Sequence, residues 1–581
     1  MNRFVLSMLC LGLVGCASQG GELDGEVSDT LEVKLGTLGE PCVGNPSSLN
    51  LVDTIRICGE GPISGVDGEG TVIRTLFDRV VPVSETLQLG DIPVNDQYEI
   101  TVIGEQNGSS SYVGFVEDVS VSVGEVQELD IQWAPFRTTS CVSVESAGKP
   151  AHRVFSAGVL LPDGTFFFGG GFSALSSDGV TLKPGSTKTY LFDPATATLS
   201  SGPNIAIGRG GHAMVYVPSR QHVLVIGGAS ELTFDDSGEA MPFRMESTTA
   251  LTQIEVIDFS GEQPKLLAQS EGDSLSLSTQ RVFPRAVVTA GGDVLISGGY
   301  DWDKNPTQHP ESKDFTRIEH LVSVESEAGV ASWKIEQSST GLDGDEARAG
   351  NTFDWVQDET NNGKTREVFL VWGGTRNPDR QARIVRSEDD GTKVAYPVQI
   401  AEGSAAITSS FFHSMTHLGT GKLLALGGVS VGESGRLSSL NSDQAYLIEY
   451  SDPNGVTPTL NISKIPGLEP GRYFHTAQLH PGGAVSAYGG FIDLLGTGAS
   501  EIVSYNQNNS NALRILTTGE DFPARGGHLS VPLRMGATYL ATGVGKVTDL
   551  TVEEEMLSQI LVSPAFDLCE SPIPQAGEGV E

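Results

Sequence analysis

The sequence predicts an all-β chain, and three observations carry that prediction. Gly supplies 71 of 581 residues while charged residues make up only 19%, a turn-rich composition with little material for long charged helices. Short runs that alternate apolar and polar residues, bounded by Gly, Pro, Asp and Ser, recur along the chain with the period of half-buried strands. One short pattern returns seven times between Arg153 and Gly545, and self-similarity of this kind marks a repeat architecture. The formal net charge of −37 is spread along the chain. So acidic a surface repels phosphate backbones and anionic headgroups, which excludes nucleic acid as a generic partner.

In chain order, Arg3 and the apolar run from Phe4 to Val14 read as an export signal, too short to cross a bilayer as a helix. The run ends Leu13-Val14-Gly15-Cys16, which resembles a bacterial lipobox. The resemblance implies removal of residues 1–15, diacylglycerol on the Cys16 sulfur and acylation of the new amine. Two or three acyl chains anchor stably where one does so marginally. Ala17 follows the cysteine where inner-membrane retention favours Asp, so the outer membrane is preferred, facing either the periplasm or the cell surface. Residues 16–39 are rich in Gly, Ser, Asp and Glu and read as a flexible tether. No later segment approaches the roughly 18 apolar residues of a spanning helix, so membrane contact is expected through the Cys16 lipid.

Cys10 leaves with the signal, and Cys42, Cys58, Cys141 and Cys569 remain. An even number in an exported protein favours disulfides, and four cysteines allow about three connectivities. The preferred one joins Cys42 to Cys58 and Cys141 to Cys569, the latter flanking the repeats. Residues 40–136 carry alternating runs such as Tyr98 to Val102 and Val126 to Trp133, which suit an antiparallel sandwich. This segment resembles the carboxypeptidase-regulatory or prealbumin-like sandwiches of exported proteins, which act as spacers or adhesion modules. It holds no chemical constellation.

Residues 137–570 hold the repeats. The units open on Arg153-Val-Phe-Ser156, Arg209-Gly-Gly-His212, Arg281-Val-Phe-Pro284, Arg348-Ala-Gly-Asn351, Ser410-Phe-Phe-His413, Arg472-Tyr-Phe-His475 and Arg525-Gly-Gly-His528. Each opening leads through an apolar strand to a second one ending in diglycine, read at Gly169-Gly170, Gly227-Gly228, Gly298-Gly299, Gly373-Gly374, Gly427-Gly428 and Gly489-Gly490, with Gly543-Val-Gly545 in the last unit. The openings are 53 to 72 residues apart, while the distance from opening to first Gly is 16 to 18 in six units and 25 in the fourth. A Tyr-containing strand and Asp193-Pro-Ala-Thr196 follow in the first unit, with Leu199 where a Trp is usual. This order resembles the Kelch repeat and implies a seven-bladed Kelch-type β-propeller, in which radial repetition protects strand edges and glycines allow close approach near the axis. The seventh unit reads as three strands, leaving Cys141 to Val144 to supply a fourth and close the ring. Residues 571–581 read as a disordered tail.

The resemblance places the repeated arginines around the mouth of a central channel. Arg forks bind carboxylate or phosphate bidentately, so Arg153, Arg209, Arg281, Arg348, Arg472 and Arg525 are candidates for an anion or acidic-peptide site. The competing reading, favoured by the repetition itself, pairs each with acids or carbonyls of neighbouring units. His212, His413, His475 and His528 share one repeat position, and on separate blades they read as structural rather than as zinc ligands. Galactose-oxidase-like proteins also join a sandwich to a Kelch propeller. Their copper radical site needs a Cys–Tyr crosslink, a second Tyr and two His, and no cysteine lies within these blades. The chain contains no GxSxG, HExxH or P-loop pattern, and Ser387 to Val394 reads as a hairpin. The sequence expectation is therefore a monomeric, lipid-anchored binding protein of the cell envelope, not an enzyme, without cofactor or metal, holding a protein or glycan on a propeller face. Two alternatives stand beside it: a carbohydrate-active lyase or glycosidase whose carboxylates come from different blades, and a structural part of a surface assembly.

Overall fold

The computed structural model describes residues 30–37, 52–66, 72–135 and, with gaps in the loops, 139–562. Cys16, Cys42, Cys569, the signal segment and the tail lie outside the described residues. The described elements are strands, with a single 3-10 turn at Pro378–Arg380.

The N-terminal part is built from β1 (Thr30–Thr37), β2 (Thr54–Val66), β3 (Val72–Pro82), β4 (Thr86–Leu89), β5 (Asn95–Gln106), β6 (Ser109–Val121) and β7 (Val126–Pro135). They form one continuous sheet in the order β3-β2-β5-β6-β7-β1-β4. Two sequence expectations are corrected here. The tether does not extend through residues 30–37, because Leu31 and Val33 alternate with polar residues and are fully buried. That alternation pairs β1 in parallel with β7 and antiparallel with β4. The two layers of a sandwich are instead one sheet, whose β5–β6 pairing shifts register at Asn95/Tyr98, Tyr98/Ile100 and Gly104/Glu105. Such bulges increase twist and bend, so a single sheet wraps its apolar face around Ile55, Ile57, Tyr98, Val102, Ile131 and Trp133. Cys58, buried on β2, is disulfide-bonded.

Among the described residues seven sheets of four or five strands follow, one per repeat, with three smaller sheets of two or three strands. The first strands of the seven are Ala157–Leu160, Ala213–Val217, Arg285–Val288, Thr352–Asn361, Ser414–Gly419, Thr476–Leu479 and Leu529–Pro532. Each continues as an antiparallel meander, for example Ala213–Val217, His222–Ile226, Ile254–Asp258 and Lys265–Leu266. The first strands touch one another in cyclic order, and the last touches the first. Adjacent sheets share apolar layers: Phe167 packs with Val223, Leu224 with Val294, Leu295 with Phe369, Leu370 with Leu423, and Leu447 with Val485. Between the seventh and first sheets, Tyr539 stacks on Phe192 at 3.7 Å. A sheet covered on both faces has no solvent face, which is why His222–Ile226 is buried at every position. The near-continuous apolar runs before each diglycine have this cause, and each fully buried Val, Leu or Ile contributes about 1.5–3 kcal/mol.

The outer strand of the seventh sheet comes from the beginning of the region. Thr139–Cys141 pairs antiparallel with Ser558–Val562, Cys141 opposite Gln559. Two residues later Ser143–Val144 joins the outer edge of the first sheet. The chain thus stitches its two ends together across the seventh and first sheets.

Candidate functional site

The third residue of each repeat has a left-handed backbone: Phe155, Gly211, Phe283, Gly350, Phe412, Phe474 and Gly527 lie at φ +51° to +62°. For phenylalanine this is a disfavoured region, held only where surrounding structure enforces it. Here the enforcement is a belt of amide bonds. Gly211 N donates to Phe155 O at 2.8 Å, Phe283 N to Gly211 O at 2.6 Å, Phe412 N to Gly350 O at 2.7 Å and Phe474 N to Phe412 O at 3.1 Å. Gly527 N donates to Phe474 O and Phe155 N to Gly527 O, both at 3.1 Å, and the latter bond joins the last unit to the first. Four phenylalanine rings meet inside the belt, with centroids 4.3 Å apart for Phe412–Phe474 and 4.7 Å for Phe155–Phe474. Glycine fills the other three places because the rings occupy the space: a Cβ on Gly350 would stand 2.5 Å from Phe412.

The six repeated arginines are buried, each 4% exposed or less, and do not surround a mouth. This corrects their expected placement. Each guanidinium reaches back to its own sheet's carbonyls: Arg209 Nη1 to Gly227 O at 2.8 Å, Arg281 Nη1 to Gly298 O at 2.6 Å and Arg348 Nη1 to Gly373 O at 2.7 Å. Arg153, Arg472 and Arg525 bond Lys188 O, Ala487 O and Thr542 O in the same way. Arg209 also pairs with Glu255, and Arg281 with Glu319 at 2.9 Å. Long reach and five donors make Arg the residue that can fasten the start of a sheet to its diglycine. Burial lowers the Arg525 pKa to about 10, which still leaves it charged.

The diglycines sit against the histidines of the next sheet. A Cβ on Gly170, Gly373, Gly427 or Gly489 would lie 2.3 to 2.9 Å from Cε1 of His212, His413, His475 or His528. The left-handed pair in the first unit is Gly170–Gly171, one residue later than the sequence suggested, and in the last unit it is Thr542–Gly543. The second glycine donates to the carbonyl that opens the next unit, as in Gly228 N to Arg281 O at 2.7 Å and Gly543 N to Arg153 O at 2.7 Å.

Three of the histidines also meet a hydroxyl of the preceding sheet. His413 Nε2 lies 3.3 Å from Thr352 Oγ1, His475 Nε2 2.8 Å from Ser414 Oγ and His528 Nε2 2.9 Å from Thr476 Oγ1. His212 faces Ala157 at the corresponding position, and both its ring nitrogens are buried without a partner. Burial, aided by Arg209, pushes the His212 pKa down to about 3; burial, aided by Arg285, does the same for His413, and the other two are also well below the usual range. All four are neutral near pH 7. Among the described residues no three of His, Cys, Asp and Glu come together as a metal site.

Buried Phe172, Leu182, Leu232 and Phe491 continue the apolar cluster of the phenylalanines. The same four phenylalanines, with residues of the seven first strands, line a cavity of about 440 Å³. This size falls in the range of small-molecule sites, about 300–1,000 Å³. Most of its wall follows the repeat, with His, Ser, Thr, Ala and Met. Two residues break the pattern. Arg285 stands where the other units have Ala157, Ala213, Thr352, Ser414, Thr476 and Leu529, and Asp354 stands where they have Val159, Val215, Val287, Thr416, Gln478 and Val531. They occupy neighbouring first strands and both line the cavity. Arg285 is held by Nε donating to Asn351 O at 3.2 Å, and its side chain is open to the cavity. Asp354 Oδ2 is buried without a partner. Burial pushes the Asp354 carboxyl up to about 6, against the opposing pull of Arg285 and a hydrogen bond from Thr352. A perturbed acid beside a cation in a cleft is the physical signature of a functional site. Repetition marks the six scaffold arginines and not this pair; the available signal was a charged residue at a repeat position where the other units have none.

No protein-family model matches the chain, and no curated protein matches it. Among solved structures, a fungal alcohol oxidase of the AA5 family, in complex with copper, is similar to it. Identity is 14%, the match covers 72% of this chain and 75% of that chain, and the TM-score is 0.45. That protein is of the galactose-oxidase-like group that the repeats resemble. It is an enzyme, so the expectation that this chain is not one is withdrawn. A likeness at this level assigns the chain no reaction.

Proposed function

We propose that this chain is a seven-bladed, Kelch-type β-propeller held at the cell envelope by lipid on Cys16, and that it captures a protein or glycan partner by an end that enters the central cavity. The cyclic contacts of the seven first strands, the amide belt and the stitched outer strand support the propeller. The lipobox supports the anchor. The observation that carries the cavity as the binding site is the one pair of charged residues among its lining that departs from the repeat, where Arg285 and Asp354 present opposite charges to a polar space. Repeated residues build the sheets, whereas unrepeated charged ones at a cavity wall, one with a buried oxygen left without a partner, mark function. Ser530→Trp fills the cavity from the wall away from the pair. It should abolish partner capture in crosslinked pulldown from intact cells while leaving the folded spectrum unchanged. Capture at the wild-type level would overturn the cavity as the site. Cys16→Ala should move the protein from the detergent phase to the aqueous phase.

A second reading has one observation in its favour. A carboxyl titrating near pH 6 is suited to proton transfer. Asp354 is the one acid lining the cavity among the described residues, whereas glycoside hydrolysis takes a pair. A carbohydrate-active function would thus run through a single acid–base group, as in elimination. Asp354→Asn should then stop turnover of a polysaccharide while binding persists.

A further inference from the structure

We infer that the cavity selects ligands carrying a carboxylate beside hydroxyl groups, that the carboxylate seats on Arg285, and that Asp354 takes up a proton from solvent as such a ligand binds. This rests on the cavity being the binding site. Arg285 is fixed at Nε by the Asn351 carbonyl, which leaves the outer edge of the fork toward the cavity, the edge that matches a carboxylate bidentately. The surrounding wall carries hydroxyls and, Arg285 aside, no cation among the described residues. Ser414, Thr476 and Ser530 line it from sheets five to seven, and His413 and His475 project beside them. That lining suits a hydroxylated ligand with one acidic end better than an apolar one.

The proton follows from charge. In the empty cavity Asp354 and Arg285 attract each other across adjacent strands, which holds the Asp354 pKa below where burial alone would put it. A ligand carboxylate on Arg285 neutralises that attraction and places a second negative charge near Asp354. Like charges in a low-dielectric site cannot both persist cheaply, so the carboxyl protonates. The charged and titratable groups around it are few. Its own strand offers Thr352 Oγ1, the third sheet offers Arg285, and the fifth offers His413, neutral above a pKa of about 3. Leu370 is the residue opposite on the partner strand. His212, His475 and His528, also at the cavity, are neutral in the same range. Asp354 is thus the group that titrates between pH 5 and 7.

Glucuronate and glucose are the probes, since they share a ring and differ in carboxylate against hydroxymethyl. Calorimetry of the full chain should show glucuronate binding more tightly than glucose. Its affinity should weaken by up to about tenfold from pH 5 to pH 7, the change expected for a group titrating near pH 6 whose protonated form binds. Runs at pH 6.5 in buffers of different ionisation enthalpy should report proton uptake. Asp354→Asn should remove that uptake and bind glucuronate at pH 7 as wild type does at pH 5. Arg285→Ala should remove the preference for glucuronate over glucose. Equal binding of the two sugars, no binding of glucuronate, or binding without proton uptake overturns the inference. If Ser530→Trp still blocks partner capture in that event, the cavity stands as the binding site and only its ligand class is wrong; if it does not, both fall.

Discussion

His212 is a buried imidazole with two unpartnered nitrogens, and its three sisters show what it lacks. Each of them meets a Ser or Thr hydroxyl at 2.8 to 3.3 Å from the fifth residue of the preceding unit. In the first unit that residue is Ala157, so Ala157→Ser places a hydroxyl where the other junctions have one. A buried polar group left unsatisfied costs about 1–3 kcal/mol, and a neutral hydrogen bond contributes about 0.5–1.5 kcal/mol net. Desolvating the new hydroxyl offsets part of this, and the expected gain is about 1 kcal/mol. Ala213→Ser is the matched control, because the facing residue of the next unit is Pro284 and no nitrogen awaits the hydroxyl. Urea unfolding should raise the midpoint for Ala157→Ser at constant slope, leave Ala213→Ser near wild type, and lose the gain when His212 is replaced by Ala. Equal behaviour of the two serine variants, or a gain that survives in the His212→Ala background, would refute the pairing of histidine with hydroxyl across sheets.

Three further outcomes follow from the same geometry. Arg281→Met should destabilise by about 3–5 kcal/mol, since it strands Glu319, 1% exposed, as a buried charge; denaturant titration measures it, and a loss under 1 kcal/mol would contradict a scaffold role. Gly350→Phe should destabilise by more than the roughly 1–3 kcal/mol of ordinary overpacking, because its Cβ alone would stand 2.5 Å from Phe412, and thermal unfolding reads this out. Asp354 has a folded pKa raised to about 6 from 3.8, so the folded state binds the proton more tightly than the unfolded state, and stability falls as pH rises from about 4 through 6. The loss, about 2–3 kcal/mol, should appear as the difference between wild type and Asp354→Asn, which changes from about pH 4 to pH 6 and is constant above that; a difference independent of pH would exclude the shift.

Much of the repeat was legible because its chemistry recurs. Arg fastens six of the seven sheets, a glycine meets the next sheet's histidine at four junctions, and apolar runs fill the layers between sheets, so the same letters recur at nearly fixed offset. Residues 30–37 read as tether because their surroundings are rich in Gly, Ser and acids, although Leu31, Val33 and Leu35 alternate as a strand does. The site was not legible by the same route. Arg285 and Asp354 are 69 residues apart in the chain, and nothing local links them.

By itself the sequence determined the strand class and the residue types at each repeat's start, since these depend on period and on local backbone and side-chain chemistry. Only the tertiary structure decided where the arginines point, that four phenylalanine rings meet, and that an acid and a cation from neighbouring units share one cavity. Those facts depend on which surfaces face each other once the sheets pack together, and burial and dielectric, which set the charge states, exist only after that packing.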